Sequence, residues 1–448
     1  MSLSFHLKRS LNPWRRARWH LRLVLWGFAA LSGLAVAGFA KGADLALAFF
    51  FSLDRHWLWL PLFWTPFIGM MSVALTQKVF PGIQGSGIPQ VIAATRLIAQ
   101  GKPVHHLVSL RIAVGKILVG LLALTGGFSA GREGPSVQVS ASLVFLAHRY
   151  LPHSRALRPS DLILAGGAAG VAAAFNTPLA GVVFAIEELG RRLETRTSGV
   201  LLGVIIVSGL TSIALLGNYN YFGRITLRDL DYHIVGPVLV SGVVCGVLGG
   251  LFSRLLLWPQ NGQAWGLWRW RQEHPIVFAG ICGVLIAMLG LLTHGLSFGS
   301  GYTLALPLVN GGVQGVPWYT SPARFLATVI SYHSGIPGGI FAPALAVGST
   351  LGATLAPALG SHDLIPWVTL CMAGFLAAVT QAPITAALIV IEMVDGHRMA
   401  LPLMAVTFLA RAISAYFGPE LYQQLALRFA EDRRHDGGVR SAGSREEA

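Results

Sequence analysis

The sequence of 448 residues is 54% hydrophobic and only 12% charged, with a mean hydropathy of +0.62; soluble domains carry about 25% charged residues, so a water-soluble globular fold is excluded. Its net charge is +14, and basic residues flank the apolar body, Lys8, Arg9, Arg15, Arg16, Arg18 and Arg22 before it and Arg428, Arg433, Arg434, Arg440 and Arg445 after it. Basic flanks of this kind mark the cytoplasmic side of a polytopic membrane protein, with both termini inside and an even number of crossings, and the lack of a basic domain with interleaved aromatics excludes a nucleic-acid partner.

In chain order, residues 1–22 read as a basic lead at the membrane surface. It imitates a signal peptide, but its long basic region and polytopic sequel predict that it is retained. Residues 23–40 predict the first span, and Trp57, Trp59 and Trp64 an interfacial belt ahead of an apolar segment to Val79. PGIQGSGIP at 81–89 forbids an uninterrupted helix and predicts a loop near membrane depth. Residues 96–111 return to water, and 112–125 are apolar apart from Lys116. GREGPSVQ at 131–138 then sets Arg132 and Glu133 among glycines in an apolar setting. After a polar turn at 148–161, GGAAGVAAAF predicts close helix packing. NTPLAGVVFAIEE at 176–188 ends an apolar run in two carboxylates, Glu187 and Glu188, groups that enter membranes where function needs them.

The uncharged run 197–223 predicts another span. Residues 217–232 and 258–275 read as hydrophilic connections, the second anchored by Trp258, Trp265, Trp268 and Trp270. SGIPGGIFAP at 334–343 is a further glycine and proline break, and 364–391 is an uncharged run long enough to span. Within it QAPITAALIVIE closes on Glu392. With 53 glycines and 23 prolines the chain predicts many broken helices, tolerable in a bilayer only inside protein or around a cavity. Cys245, Cys282 and Cys371 lie in apolar segments and read as small core residues rather than a disulfide or metal set. His105, His106, His148 and His153 fall in polar stretches and read as loop residues.

A shift of 205 positions carries Pro178 onto Pro383, Ile186 onto Ile391, Glu187 onto Glu392, and Ala168, Ala172 and Ala173 onto Ala373, Ala377 and Ala378; it also pairs Gly134 with Gly339. This predicts an internal duplication with approximate halves 23–215 and 235–425 inside one transmembrane domain, followed by a basic tail at 426–448. Duplicated halves with matching helix breaks suggest a transporter whose site lies between the repeats. Glycine-rich helix starts present unpaired N–H groups and a positive dipole end, which together hold anions. Three occur here, GSGIP, GREGP and GGIFAP, and Ser86 adds a hydroxyl donor without a full charge. No HExxH, GxSxG or paired-aspartate motif supports an intramembrane enzyme.

GSGIP at 85–89, GREGP at 131–135 and GIFAP at 339–343 resemble, in order, the three signature segments of the CLC family of chloride channels and chloride/proton antiporters, a likeness that spans residues 20–425. The resemblance implies an all-α polytopic membrane fold, an inverted repeat of tilted and broken helices, assembled as a homodimer with one anion path per subunit. It implies chloride contacts from Ser86, Gly87, Ile340, Phe341 and Tyr422, with Gly85, Gly131, Arg132, Gly134, Pro135 and Gly339 shaping the path. Glu133 matches the gating glutamate, a reading its chemistry shares, since a carboxylate in an anion path repels and competes with anions until protonated. A salt bridge from Glu133 to Arg132 is the competing reading, disfavoured because neighbours on a helix do not face each other. Glu188, better placed than Glu187, matches the internal proton-transfer glutamate of the antiporters, so the expected function is chloride/proton exchange, with a passive chloride channel as the alternative.

Lys116 matches a basic position of relatives and either tunes the field along the path or pairs with a glutamate. The chain departs from the family after GSGIP, where Gln90, Val91 and Ile92 replace the acidic residues common there. Serine at 86 favours chloride over nitrate. The resemblance implies no cofactor and, without the family's regulatory domains, a bacterial inner-membrane protein whose partners are chloride, protons, lipid and a second copy of itself.

Overall fold

The computed structural model describes residues 13–151, 157–190, 198–217, 221–225, 232–259, 266–313 and 315–430. His153, Trp265, much of the 217–232 connection, most of the basic tail and the first part of the basic lead lie outside them. The described residues are helical, with isolated bridges in place of strands. The first half holds α1 (Pro13–His56), α2 (Pro61–Lys78), α3 (Ile88–Ala99), α4 (Leu110–Thr125), α5 (Glu133–Leu146), α6 (Pro159–Phe175), α7 (Pro178–Phe184) and α8 (Ser198–Leu216). The second holds α9 (Val235–Leu257), α10 (Leu267–Glu273), α11 (Pro275–Leu292), α12 (Tyr302–Val309), α13 (Thr320–His333), α14 (Phe341–Ala358), α15 (Leu364–Thr380), α16 (Pro383–Met393) and α17 (Ala400–Ser414), before α18 over 421–430.

Among these helices α1, α9, α11 and α14 contain stretches long and apolar enough to cross a bilayer alone; α3, α6, α15 and α16 are shorter apolar pieces. The expectation of broken helices is met. Two predicted spans need correction. The run 364–391 is two helices rather than one, because Gln381 turns left-handed at φ 59° and Pro383 starts a new helix where a missing N–H costs nothing. The run 197–223 is helical only to Leu216, and Gly217 at φ 87° ends it. The first predicted span, 23–40, is the middle of one 44-residue helix.

Small residues set the layer spacing. A Cβ on Gly166 or Gly170 of α6 would stand 2.7 Å from Ala141 Cα or Ser136 O of α5. On Gly348 or Gly352 of α14 it would stand 2.4 Å from Cys371 O or Trp367 O of α15. These helices therefore meet at backbone contact, the geometry that small residues permit. Cys245 and Cys371 are buried where α9 meets α15, and Cys282 is buried in α11, as core residues.

The duplication is visible in the structure as a twofold. Helices α6 and α15 start and end 205 residues apart, and each ends on a left-handed residue, Asn176 at φ 58° and Gln381 at φ 59°. Glu187 accepts hydrogen bonds from Ile384 N (3.2 Å) and Thr385 N (2.7 Å) at the start of α16, while Glu392 accepts from Leu179 N (3.3 Å) and Ala180 N (2.8 Å) at the start of α7. Each half's glutamate caps the other half's helix, and such reciprocity requires an approximate twofold axis between them. The two halves form the inverted repeat. The register of 205 does not extend to the glycine motifs: α5 and α14 begin 208 apart, so Gly131, not Gly134, is the counterpart of Gly339. Those two glycines pair across the axis, each N–H donating to the other's carbonyl at 2.7 Å.

Candidate anion pathway

The three glycine motifs are brought together. Besides the Gly131–Gly339 pair, Gly85 N donates to Ile336 O (3.1 Å) and Gly338 N to Gly85 O (3.0 Å), so the segments before α3, α5 and α14 form one backbone cluster. Gly87 precedes α3 at φ 100°, a conformation that costs glycine least. None of the three helices has a side-chain cap at its N-terminus. By contrast α7 and α16 are capped by carboxylates from across the molecule. The starts of α3, α5 and α14, Ile340 and Phe341 among them, thus stand together at this cluster, and a helix start leaves its first N–H groups without intrahelical partners.

Packing at the cluster leaves no room for side chains. A Cβ on Gly134 would meet Ser86 Oγ at 2.3 Å, Ser86 O at 3.0 Å and Gly339 Cα at 3.3 Å. Ser86 and Tyr422 are buried, and the Tyr422 ring stands edge-on to Phe341 at 5.8 Å. The two hydroxyls are close enough to influence each other, yet neither makes a well-formed hydrogen bond to a protein atom. Buried hydroxyls without partners are costly, and here they stand beside uncapped helix starts. Lys116, fully buried, donates from Nζ to Ile83 O (2.6 Å) and Gly85 O (2.7 Å), holding the loop that carries Ser86. Of its two expected roles, the contacts are those of a cation fixed to backbone carbonyls, with no glutamate among them. Gln90 also serves this loop, donating to Gln84 O at 2.6 Å, which a carboxylate at this position could not do.

Glu133 is the first residue of α5 and is 1% exposed. One carboxylate oxygen accepts a 2.9 Å hydrogen bond from the Tyr221 hydroxyl and the other has no partner. Arg132 and Glu133 line the same cavity, but the ion pair of Arg132 is with Asp44. Its Nη1 donates to Asp44 Oδ1 at 2.7 Å and to Ala40 O, both on α1, and its guanidinium lies 5.9 Å over the Tyr221 ring. Arg132 thus fastens the start of α5 to α1.

Tyr221 was not legible as a site residue, since 217–232 reads as a hydrophilic connection. In the described part of that connection Tyr221 and Phe222 are buried, and Phe222 N and Ile225 N donate to Met393 O and Val394 O at the end of α16. The available signal was the aromatic content of NYNYFG, too rich for an exposed linker.

Glu187 and Glu188 make different contacts. Glu187 is spent on the α16 cap, with Thr385 Oγ1 adding a third hydrogen bond at 2.7 Å. Glu188, in a single π-helical turn (Ala185–Gly190), is 3% exposed. Gln423, next to Tyr422, donates to its backbone carbonyl (2.9 Å) and to Oε1 (3.4 Å), and the exposed Arg96 donates in turn to Gln423. A side-chain chain therefore runs from the surface to a buried carboxylate beside the Tyr422 helix.

Two cavities flank the cluster. One, of about 200 Å³, is lined by Asp44, Arg132, Glu133, Tyr221 and Tyr302. The other, of about 210 Å³, reaches Gly85, Ser86 and Gln90 and is lined by Arg271, His333 and Arg428. Ser86 and Glu133 are thus the inner walls of two separate openings, and what divides them is the backbone cluster with its uncapped helix starts.

Residues 68–415 match a family described as voltage gated chloride channel. The sequence is 32% identical over 384 residues, 81% of this chain and 76% of the relative, to proteins named H(+)/Cl(-) exchange transporter ClcA from Yersinia pestis and Yersinia pseudotuberculosis. Among solved structures, a slow cyanobacterial Cl-/H+ antiporter superposes with a TM-score of 0.80 at 25% identity, covering 93% of this chain and 99% of that one. A CLC-type fluoride/proton antiporter superposes at 0.77, also at 25% identity, over 92% and 99%.

Proposed function

Because the chain belongs to the voltage-gated chloride channel, or CLC, family, we infer that it is a chloride/proton antiporter in which Glu133 gates the anion path and Glu188 passes protons on the other side. The observation that carries this is the carboxylate of Glu133, buried at an uncapped helix start in the wall that separates the two cavities. Three positive helix ends and two hydroxyl donors make that wall attractive to an anion. A carboxylate there occupies the place of one. Protonation removes its charge and lets chloride displace it, so proton and anion use the same point in turn. Gly87, Ile340 and Phe341 supply backbone N–H groups, Ser86 and Tyr422 the hydroxyls. Weak neutral donors let the ion leave again.

Glu188 is the second proton station, its buried carboxylate held by a hydrogen bond from Gln423. Its presence distinguishes this reading from the passive channel. With basic flanks inside, both termini and the cavity lined by Arg271 and Arg428 face the cytoplasm, and the membrane is a bacterial inner membrane. No cofactor or catalytic chemistry is involved.

Purified protein in liposomes tests the assignment. A chloride gradient should drive protons uphill, read with a pH electrode. Glu188→Gln should abolish proton movement while chloride still flows, and Glu133→Gln should also uncouple the two. Chloride flux without proton movement in the unmodified protein would establish the channel instead.

A further inference from the structure

The hydroxyl of Tyr221 lies 2.9 Å from one oxygen of Glu133, and nothing in the assigned pathway uses it. Tyr221 is 3% exposed, so this hydrogen bond is formed away from bulk water, where a donor to a carboxylate is strong. The ring that carries the hydroxyl is clamped. It packs edge-on against Phe222 and Tyr302, each at 5.0 Å, and against Phe175 at 6.0 Å, with the Arg132 guanidinium over its face. Its segment is tied to the end of α16 by the backbone bonds of Phe222 and Ile225. A fixed donor thus meets a side chain whose second oxygen has no partner and which borders a cavity on the Arg132 side.

A purely packing role would need only the ring. In an aromatic cluster the buried hydroxyl must find a partner, and it donates to the residue assigned as the gate. We propose that Tyr221 is a positioning residue for Glu133, a latch whose hydrogen bond holds the carboxylate in the position that blocks the anion path. The latch rests on the reading of Glu133 as the gate. Chloride then competes against the carboxylate's place plus one charge-assisted hydrogen bond. Opening requires that bond to break.

Tyr221→Phe keeps the ring and removes the hydroxyl. In liposomes the chloride concentration giving half-maximal flux should fall about tenfold, the factor expected for losing a hydrogen bond to a charged group. In a Glu133→Ala background, where no carboxylate remains to be held, the same change should leave chloride flux and its concentration dependence unaltered. An unshifted half-maximal concentration in the otherwise unmodified protein overturns the latch. So does an equal change in both backgrounds, including loss of flux through misfolding, which would make Tyr221 part of the wall only. Failure of the Glu133 reading itself shows separately, as retained proton coupling in Glu133→Ala alone.

Discussion

Gly134 illustrates how little freedom single residues have at the site. Its absent side chain is what lets Ser86 and Gly339 approach, and a methyl group there would meet the Ser86 hydroxyl at 2.3 Å and press on backbone atoms of both. Overpacking of this kind costs about 1–3 kcal/mol, and here it displaces the Ser86 hydroxyl first. Gly134→Ala should therefore cut chloride flux in liposomes by more than roughly tenfold, with folded protein still recovered by size-exclusion chromatography. Unchanged flux would mean that the cluster is not the path. Arg132 and Glu133, adjacent in sequence, divide their work: one is anchored to Asp44 and the other faces the cavity wall. Rejecting a salt bridge between them follows from helix geometry, but Asp44, 88 residues away, could not be named as the true partner.

At the level of elements, two helix starts are tied to the opposite half by carboxylates. Helices α7 and α16 begin under carboxylates supplied by the opposite half, and α3, α5 and α14 begin without side-chain caps. Glu187→Ala and Glu392→Ala each remove a cap worth about 1 kcal/mol. Both should lower the thermal midpoint of detergent-solubilised protein by similar amounts, because the two glutamates do the same job on opposite sides of the axis. If only one destabilises, the reciprocity carries no energetic weight. The shift of 205 found this pair without any knowledge of contact. It mispaired Gly134 with Gly339, because the halves differ in length between their glycine motifs and their later helices, and one offset cannot describe both.

On the scale of the whole molecule, apolar residues remain on the outer faces of the last helices of each half. Leu202, Ile206 and Leu210 line α8 at intervals of four, and Leu401, Met404 and Phe408 line α17, with Leu179 and Ile384 exposed at the starts of α7 and α16. Large apolar residues are exposed on α1, α4, α9 and α11 as well, and it is the family resemblance from which we propose α8 and α17 as the homodimer surface. Native mass measurement in mild detergent should give twice the 47.8 kDa of one chain, and a single-chain mass would leave these faces to lipid.

Several of these features are properties of the chain alone. Low charge and long apolar runs dictate a membrane solvent, and glycine and proline dictate where helices break and begin, because each depends on local backbone preference or on composition. The break at Gln381 and Pro383 was open to the same reasoning and was passed over when the run was measured by apolarity. What tertiary structure decided are the pairings between distant segments: Gly131 with Gly339, Lys116 with the Ser86 loop, Glu187 with α16, and Tyr221 with Glu133. These are hydrogen bonds across 31 to 208 positions, and no local propensity encodes which distant donor a buried acceptor will meet.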